Sequence, residues 1–289
     1  MARRAPAVER AVAVLNLLAA RPQQRFTLSE IARDLTLNKA TLHAILGALT
    51  DEGYLVRDPA AKSYALGPAL VALGNSAVST YPAAECAVPE MRALTDELAL
   101  DCVASASISD EIVILARAGV PRPFGVYIQA GQRLPLAPPL GAVFVAWSDD
   151  ATIDRWISKL GDPPKKATAD HFRRAVGSVR ARGYSVGLEG SRRPRRARTA
   201  TSGGSLEEEV RGVQLEEYAL IDIEPKETYF VNHIGAPAFG PDGEVAIALF
   251  LIGFTGTVSG AEVERDANRL LQAAARVTKE IHGRAPNGS

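Results

Sequence analysis

The chain is poor in the residues that build metal sites and covalent frameworks. Of 289 residues two are cysteine, Cys86 and Cys102, and four are histidine, His43, His171, His233 and His282. Neither cysteine stands in a CxxC pair or beside histidines at metal-ligand spacing, which argues against a disulfide framework and a structural zinc and fits a reducing cytoplasm. A charge of one sign is missing as well, since 33 Lys and Arg balance 33 Asp and Glu, so net charge by itself indicates no partner. No stretch approaches the roughly 20 uninterrupted apolar residues that span a bilayer. Arg3-Arg4 followed by AVAVLNLLAA imitates an export signal, but Glu9 and Arg10 abut the apolar run and Asn16 interrupts it. Val8, Ala11, Val12, Leu15, Leu18 and Ala19 recur there at helical spacing and predict an amphipathic first helix with those residues on its apolar face. GxSxG, P-loop, GxGxxG and HExxH patterns are all lacking, as is any spacing that pairs a nucleophile with a base, so an enzyme is not expected. These absences point to a cytoplasmic protein without membrane association, metal or cofactor.

What is present is the composition of a core-forming protein, 47% hydrophobic and 23% charged, long enough for two domains. Residues 7–67 alternate helices and turns. Thr27 and Glu30 have capping-box spacing ahead of Leu28, Ile31, Ala32 and Leu35. Asn38 is a good N-cap for a longer helix with Leu42, Ile45, Leu46 and Leu49 facing inward, and Gly53 ends it. Tyr54–Arg57 and Ser63–Leu66, joined by Asp58–Lys62, read as a hairpin. Three helices and a hairpin predict a winged helix-turn-helix. A linker helix over 68–81 follows.

Residues 82–283 read as an α+β domain with an antiparallel sheet and flanking helices. Pro89 fits a first helical turn ahead of Met91, Leu94 and Leu98. Cys102–Ile108 and Ile112–Ala116 predict a hairpin, Phe124–Ile128 a further strand, 140–160 and 169–182 helices, and Tyr184–Leu188 a strand. Thr228–Ile234 and Glu244–Phe254 predict strands around Gly240-Pro241-Asp242-Gly243. A Ser259/Glu262 capping box opens a last helix. Between the two parts of this domain, residues 192–204 carry five arginines among Pro, Ser and Gly, too little apolar surface to offset the entropy of ordering, so a mobile insertion is expected there, more as a solvated loop than as a nucleic-acid arm.

In a helix-turn-helix the second helix presents its N-terminal residues to base edges. Asn38, Lys39, Ala40, Thr41, His43 and Ala44 occupy those positions. Lys39 suits a phosphate or a guanine acceptor, Thr41 and His43 offer short hydrogen bonds and Ala40 a methyl contact, while Arg57 and Lys62 on the wing suit phosphates. Residues 1–80 hold nine basic and six acidic side chains, a surplus in the sense that DNA binding requires.

The run from Glu9-Arg10-Ala11 through Leu28-Ser29-Glu30-Ile31-Ala32, Asn38–His43 and Gly53-Tyr54-Leu55 to Tyr64-Ala65-Leu66-Gly67 resembles the IclR family of bacterial transcriptional regulators. Gln129–Leu136, Arg182-Gly183-Tyr184 and Ile234–Phe239 with Asp242-Gly243 extend the likeness through nearly the whole chain. The resemblance implies a GAF-like effector-binding domain, dimers or tetramers, and affinity for double-stranded operator DNA set by a small molecule, with repression favoured over activation. The chain departs from the family pattern at Ala44, where the family has Arg, at Ala137–Ala142, and at His233, Phe250 and Ile252, where polar or thiol residues are usual. About forty residues between Glu189 and His233 form a connection longer than the family's. The expected effector site comprises Leu134, Leu136, Gly141, Ala142, Val143, Glu189, His233, Phe250 and Ile252, with Gly141 and Ala142 offering backbone N–H groups and His233 and Glu189 orienting a polar group. Its apolar lining implies a bulkier, greasier ligand than a short keto acid. The competing reading is a ligand sensor acting through protein partners, which DNA binding would distinguish.

Overall fold

The computed structural model describes residues 5–21, 23–79, 81–119, 128–161, 165–189 and 218–286. They divide into two compact units, Met1–Thr80 and Tyr81–Ser289. The predicted strand over Phe124–Ile128 lies, except for Ile128, outside the described residues, and so does the arginine-rich segment 192–204.

In the first unit α1 (Pro6–Ala20), α2 (Leu28–Asp34) and α3 (Lys39–Asp51) surround a small sheet of β1 (Phe26–Thr27), β2 (Leu55–Asp58) and β3 (Ser63–Leu66), and α4 (Ala69–Ser79) follows. The capping box at α2 is complete. The Thr27 N–H donates to the Glu30 carboxylate at 2.7 Å and the Glu30 N–H returns a bond to Thr27 Oγ1, and these bonds hold the Glu30 carboxyl below its ordinary pKa. β1 was not foreseen. It is two residues long, below what alternation can reveal, and it pairs with β3 while burying Phe26 in the core of Val14, Leu18, Ile31, Leu42, Leu46, Leu55 and Tyr64. The expected apolar face of α1 holds at Leu15 and Leu18, which pack in the core, but needs correction at Val8 and Val12, which are 61% and 47% exposed, and at Val14, which is buried though not on that face. An alanine- and valine-rich helix has two nearly equivalent stripes, and only packing chooses between them.

In the second unit α5 (Pro82–Leu98) leads into β4 (Asp101–Ile108), β5 (Glu111–Ala118) and β6 (Arg133–Pro135). Then come α6 (Ala142–Val145), α7 (Asp150–Ser158), α8 (Lys166–Arg182) and β7 (Ser185–Leu188). β8 (Thr228–Tyr229), β9 (Val231–Phe239), β10 (Val245–Ile252), β11 (Val258–Ser259) and α9 (Gly260–Glu280) complete it. The main sheet is antiparallel with strand order β6-β5-β4-β10-β9-β7. Alternation gives it two different faces. Cys102, Ala104 and Ala106 of β4, Ile247, Leu249 and Leu251 of β10, and Ile234, Ala236 and Ala238 of β9 pack with Met91 and Leu94 of α5 and the Val263–Val277 stripe of α9 into the largest core. The opposite face carries Val103 and Ser105, Ala248 and Phe250, and His233 and Gly235.

Two expectations shift here. Pro89 is not in a first turn but inside α5, which begins seven residues earlier at Pro82; both prolines satisfy the rule for a helix start, and the earlier one takes it. The helical pattern over 140–160 is two helices, because Asp149 accepts a bond from the Thr152 N–H at 2.9 Å and caps a new one.

Candidate functional site

The two units offer separate candidate surfaces. On α3, Leu42 and Leu46 are buried and Ile45 and Leu49 pack beside them, so the helix turns Lys39, Ala40, His43 and Ala44 to solvent, with Thr41 half-buried. Asn38 serves as the helix cap, its Oδ1 accepting the Ala40 N–H at 2.7 Å. Arg57 lies exposed on β2 opposite Tyr64, and Lys62 closes the wing turn with a left-handed φ of 50°. Arg25 and Arg33 contact the carboxylates of Asp58 and Asp34 at 3.9 and 3.2 Å. Among the described residues Lys39, Arg57 and Lys62 have no such ion pair. Three exposed cations flank an exposed helix end with no acidic residue in its first turn, an arrangement suited to phosphate oxygens around a groove.

The nine expected effector residues do not meet in one place. Leu134 is on β6 and Glu189 follows β7, the opposite edges of the sheet; five strand spacings amount to roughly 24 Å along it. Four of the nine do converge, for Leu134, Leu136, Val143 and Phe250 share one apolar cluster with Ile112, Phe144 and Ala248. Gly141 is the N-cap of α6, directly before Ala142 and Val143. That loop is tied down by Trp156, whose Nε1–H donates to the Leu140 carbonyl at 2.9 Å. Ile252 is paired with His233 and Asp101 and shares their face.

His233 forms the second part of this face. Its Nδ1 lies 3.3 Å from Tyr218 Oη and 3.2 Å from Asn232 Oδ1, and its ring meets the edge of Phe250 at 5.5 Å. Both rings lie close over neighbouring strands. A Cβ at Gly187 would stand 2.2 Å from the His233 ring, and one at Gly235 2.5 Å from the Phe250 ring, so glycine at these positions is what allows the two side chains to lie there. Desolvation pushes the His233 pKa down to about 4, leaving a neutral imidazole at ordinary pH. The same cause raises that of Tyr218 and pushes the Cys102 thiol up to about 12, an inert core thiol rather than a nucleophile. Among the described residues no group of three or more His, Cys, Asp or Glu side chains is placed to hold a metal. No helix among them is long and apolar enough to cross a membrane.

No sequence signal marks Tyr218 or what holds it. Arg182 donates to the carbonyls of Tyr184, Leu220 and Ile221 at 2.7, 2.8 and 3.0 Å, and the Ser178 hydroxyl donates to Ile221 at 2.6 Å. The returning chain then bridges Gly187 through Ala219. Apart from the Arg182–Tyr184 bond, these contacts join residues 32 to 43 apart in the sequence, with no periodic signal. Arg117 was also missed. It sits opposite Val103 on the face of Phe250, donates to Asp101 Oδ2 at 2.9 Å and to the Ile128 carbonyl at 3.2 Å, and its ion pair is largely buried.

Comparison with known proteins places these surfaces in context. Residues 7–59 match the IclR helix-turn-helix domain. The chain is 32% identical over 203 residues to the glycerol operon regulatory protein of Streptomyces coelicolor, covering 65% of this chain and 75% of that protein. Its counterpart in Streptomyces griseus is 46% identical over 81 residues, 28% of this chain and only 32% of that protein. Among solved structures, an IclR transcriptional regulator from Alicyclobacillus acidocaldarius superposes with a TM-score of 0.72 at 23% identity, covering 96% of this chain and all of that one. An IclR homolog from Microbacterium hydrocarbonoxydans complexed with 4-hydroxybenzoate has a TM-score of 0.65 at 17% identity, covering 96% and 99%. These relatives are regulators rather than enzymes.

Proposed function

The chain belongs to the IclR family of transcriptional regulators, and from that premise we propose that residues 38–44 and the wing read an operator whose affinity is set by a small, largely apolar effector held in the second unit. The observation that carries the first half is the exposure of Lys39, Ala40, His43 and Ala44 on a helix whose other side is anchored in its own core. The assembly is a homodimer, or a tetramer built from such dimers, on a pseudo-palindromic site, since two-fold protein symmetry calls for two matching half-sites. Its default action is repression. Residues 7–67 form the DNA-binding domain, 68–81 the linker and 82–283 the effector domain.

The second half is supported by the convergence of Leu134, Leu136, Val143 and Phe250 and by the neutral His233 beside Phe250. That a protein of this fold has been seen with 4-hydroxybenzoate supports an aromatic body for the ligand here too. The sheet width favours Phe250 as the centre of the site and leaves Glu189 at its margin.

Fluorescence anisotropy with the promoter of the protein's own gene tests the operator reading. Lys39→Ala should weaken binding and, if the lysine meets a phosphate, lower the salt slope by about one. Unchanged affinity after Lys39→Ala, Thr41→Ala and His43→Ala combined would remove this face from consideration. A thermal-shift screen tests the effector reading, because a ligand of the folded state raises its midpoint. Stabilisation by small polar carboxylates with no response to aromatic or acyl compounds contradicts it. Phe250→Asp should abolish an effector's influence on DNA while leaving the free protein's operator affinity unchanged.

A further inference from the structure

The apolar cluster around Phe250 holds polar atoms that the fold itself leaves unpaired. Ser105 is fully buried, and its Oγ has no hydrogen-bond partner. It stands on β4 between Ala248 of β10 and Ile114 of β5, two residues along the same face from the Val103–Phe250 pair, so its cross-strand neighbours offer only hydrocarbon side chains. Ala248 packs against Val143 and Phe144 of α6 in the same cluster. Trp147 also packs on that cluster, edge-on to Phe239 at 5.2 Å, and its Nε1–H is likewise buried and unpartnered. Buried polar groups in folded proteins are paired as a rule, and leaving one dry forfeits its hydration with nothing gained in return. Both groups can donate a hydrogen bond, and an indole can do nothing else. The cation on this face, Arg117, has its charge met by the Asp101 carboxylate, although its Nε–H is buried without a partner. Ser105 and Trp147 are neutral donors and the Arg117 charge already has a counter-ion, so the partner that fits is an uncharged acceptor carried into the cluster on an apolar body.

We propose that Ser105, with Trp147 bordering the same cluster, hydrogen-bonds the effector, and that the effector is a neutral aryl or branched acyl compound bearing a carbonyl oxygen. This rests on the effector reading above and adds the polar contact and the charge state to it. Leu134, Leu136 and Phe250, each only partly buried, form the rim over which the hydrocarbon part packs.

The full-length protein is tested by thermal shift and calorimetry with acetophenone, with its hydrocarbon isostere α-methylstyrene, and with benzoate. Acetophenone should bind the wild type about tenfold more tightly than α-methylstyrene, the ratio one neutral hydrogen bond supplies, and benzoate should bind more weakly than acetophenone. Ser105→Ala should raise the midpoint of the free protein by about 2–4 °C, since it deletes an unpaired hydroxyl, and should erase the preference for the ketone. Trp147→Phe, which keeps the ring and removes the N–H, should reduce that preference. A lower midpoint for free Ser105→Ala, or an undiminished ketone preference in it, overturns the role of Ser105. Tighter binding of benzoate than of acetophenone overturns the neutral-ligand assignment. If no probe shifts the wild type, the effector reading of this cluster falls and the inference with it, while the operator measurement stands on its own.

Discussion

The two faces of the six-stranded sheet are made by the same strands and could hardly differ more. Toward α5 and α9 every second residue is apolar and fully buried, Ile247, Leu249 and Leu251 on β10 being typical. Toward α6 the intervening residues include Ser105, Phe250, His233 and the Arg117–Asp101 pair, some buried without partners and some partly open. One face is packed to closure and carries stability. The other keeps polar groups and rings where a core would have put hydrocarbon, the mark of a surface selected for something besides stability.

The largest effect should come from the closed face. Leu249→Ala removes a fully buried side chain and should cost about 3 kcal/mol in urea denaturation; a loss below about 1 kcal/mol would show that this face is not the main core. Next is a pH dependence on the open face. The His233 pKa in the folded protein is about 4 against an ordinary 6.5, so between those values the unfolded chain binds the extra proton. Stability attributable to this residue is therefore complete above about pH 6.5 and declines as the pH falls toward 4, by on the order of 2–3 kcal/mol. His233→Gln should flatten that part of the stability profile, and identical slopes in the two proteins would mean that the ring is hydrated.

Phe250→Ala probes the open face directly. Phenylalanine is larger than leucine, yet Phe250 is only partly buried, and its truncation should cost about 1–2 kcal/mol, less than Leu249→Ala one residue away. The reverse order would make the open face an ordinary core. The smallest effect concerns α1 of the first unit, where Val12→Ser should change monomer stability by no more than about 0.5 kcal/mol because the side chain is exposed. A loss that grows with protein concentration would instead show that a second copy covers it.

Much of this was legible in the sequence wherever the signal is local. The Thr27/Glu30 and Ser259/Glu262 capping boxes and the Asn38 cap are present as expected, because a cap is a contact between residues two or three apart. The β4–β5 hairpin and the β9–β10 turn were read from alternation and turn residues for the same reason. Signals with two local solutions were misread: Pro82 and Pro89 both satisfy the helix-start rule, and α1 has two similar stripes. The site was legible only in part. Leu134, Leu136, Val143 and Phe250 were expected to lie together and share a cluster, whereas Ser105, Arg117, Trp147 and Tyr218 were not foreseen.

Most of the elements, their caps and turns, the winged helix-turn-helix and the family resemblance follow from residue order over short spans. The tertiary structure decided which face of each strand is closed, that Ser105 ends up dry beside Phe250, and that Arg182 holds Tyr218 against His233. Strand order and register set those relations, and alternation along a strand is the same whichever face turns inward.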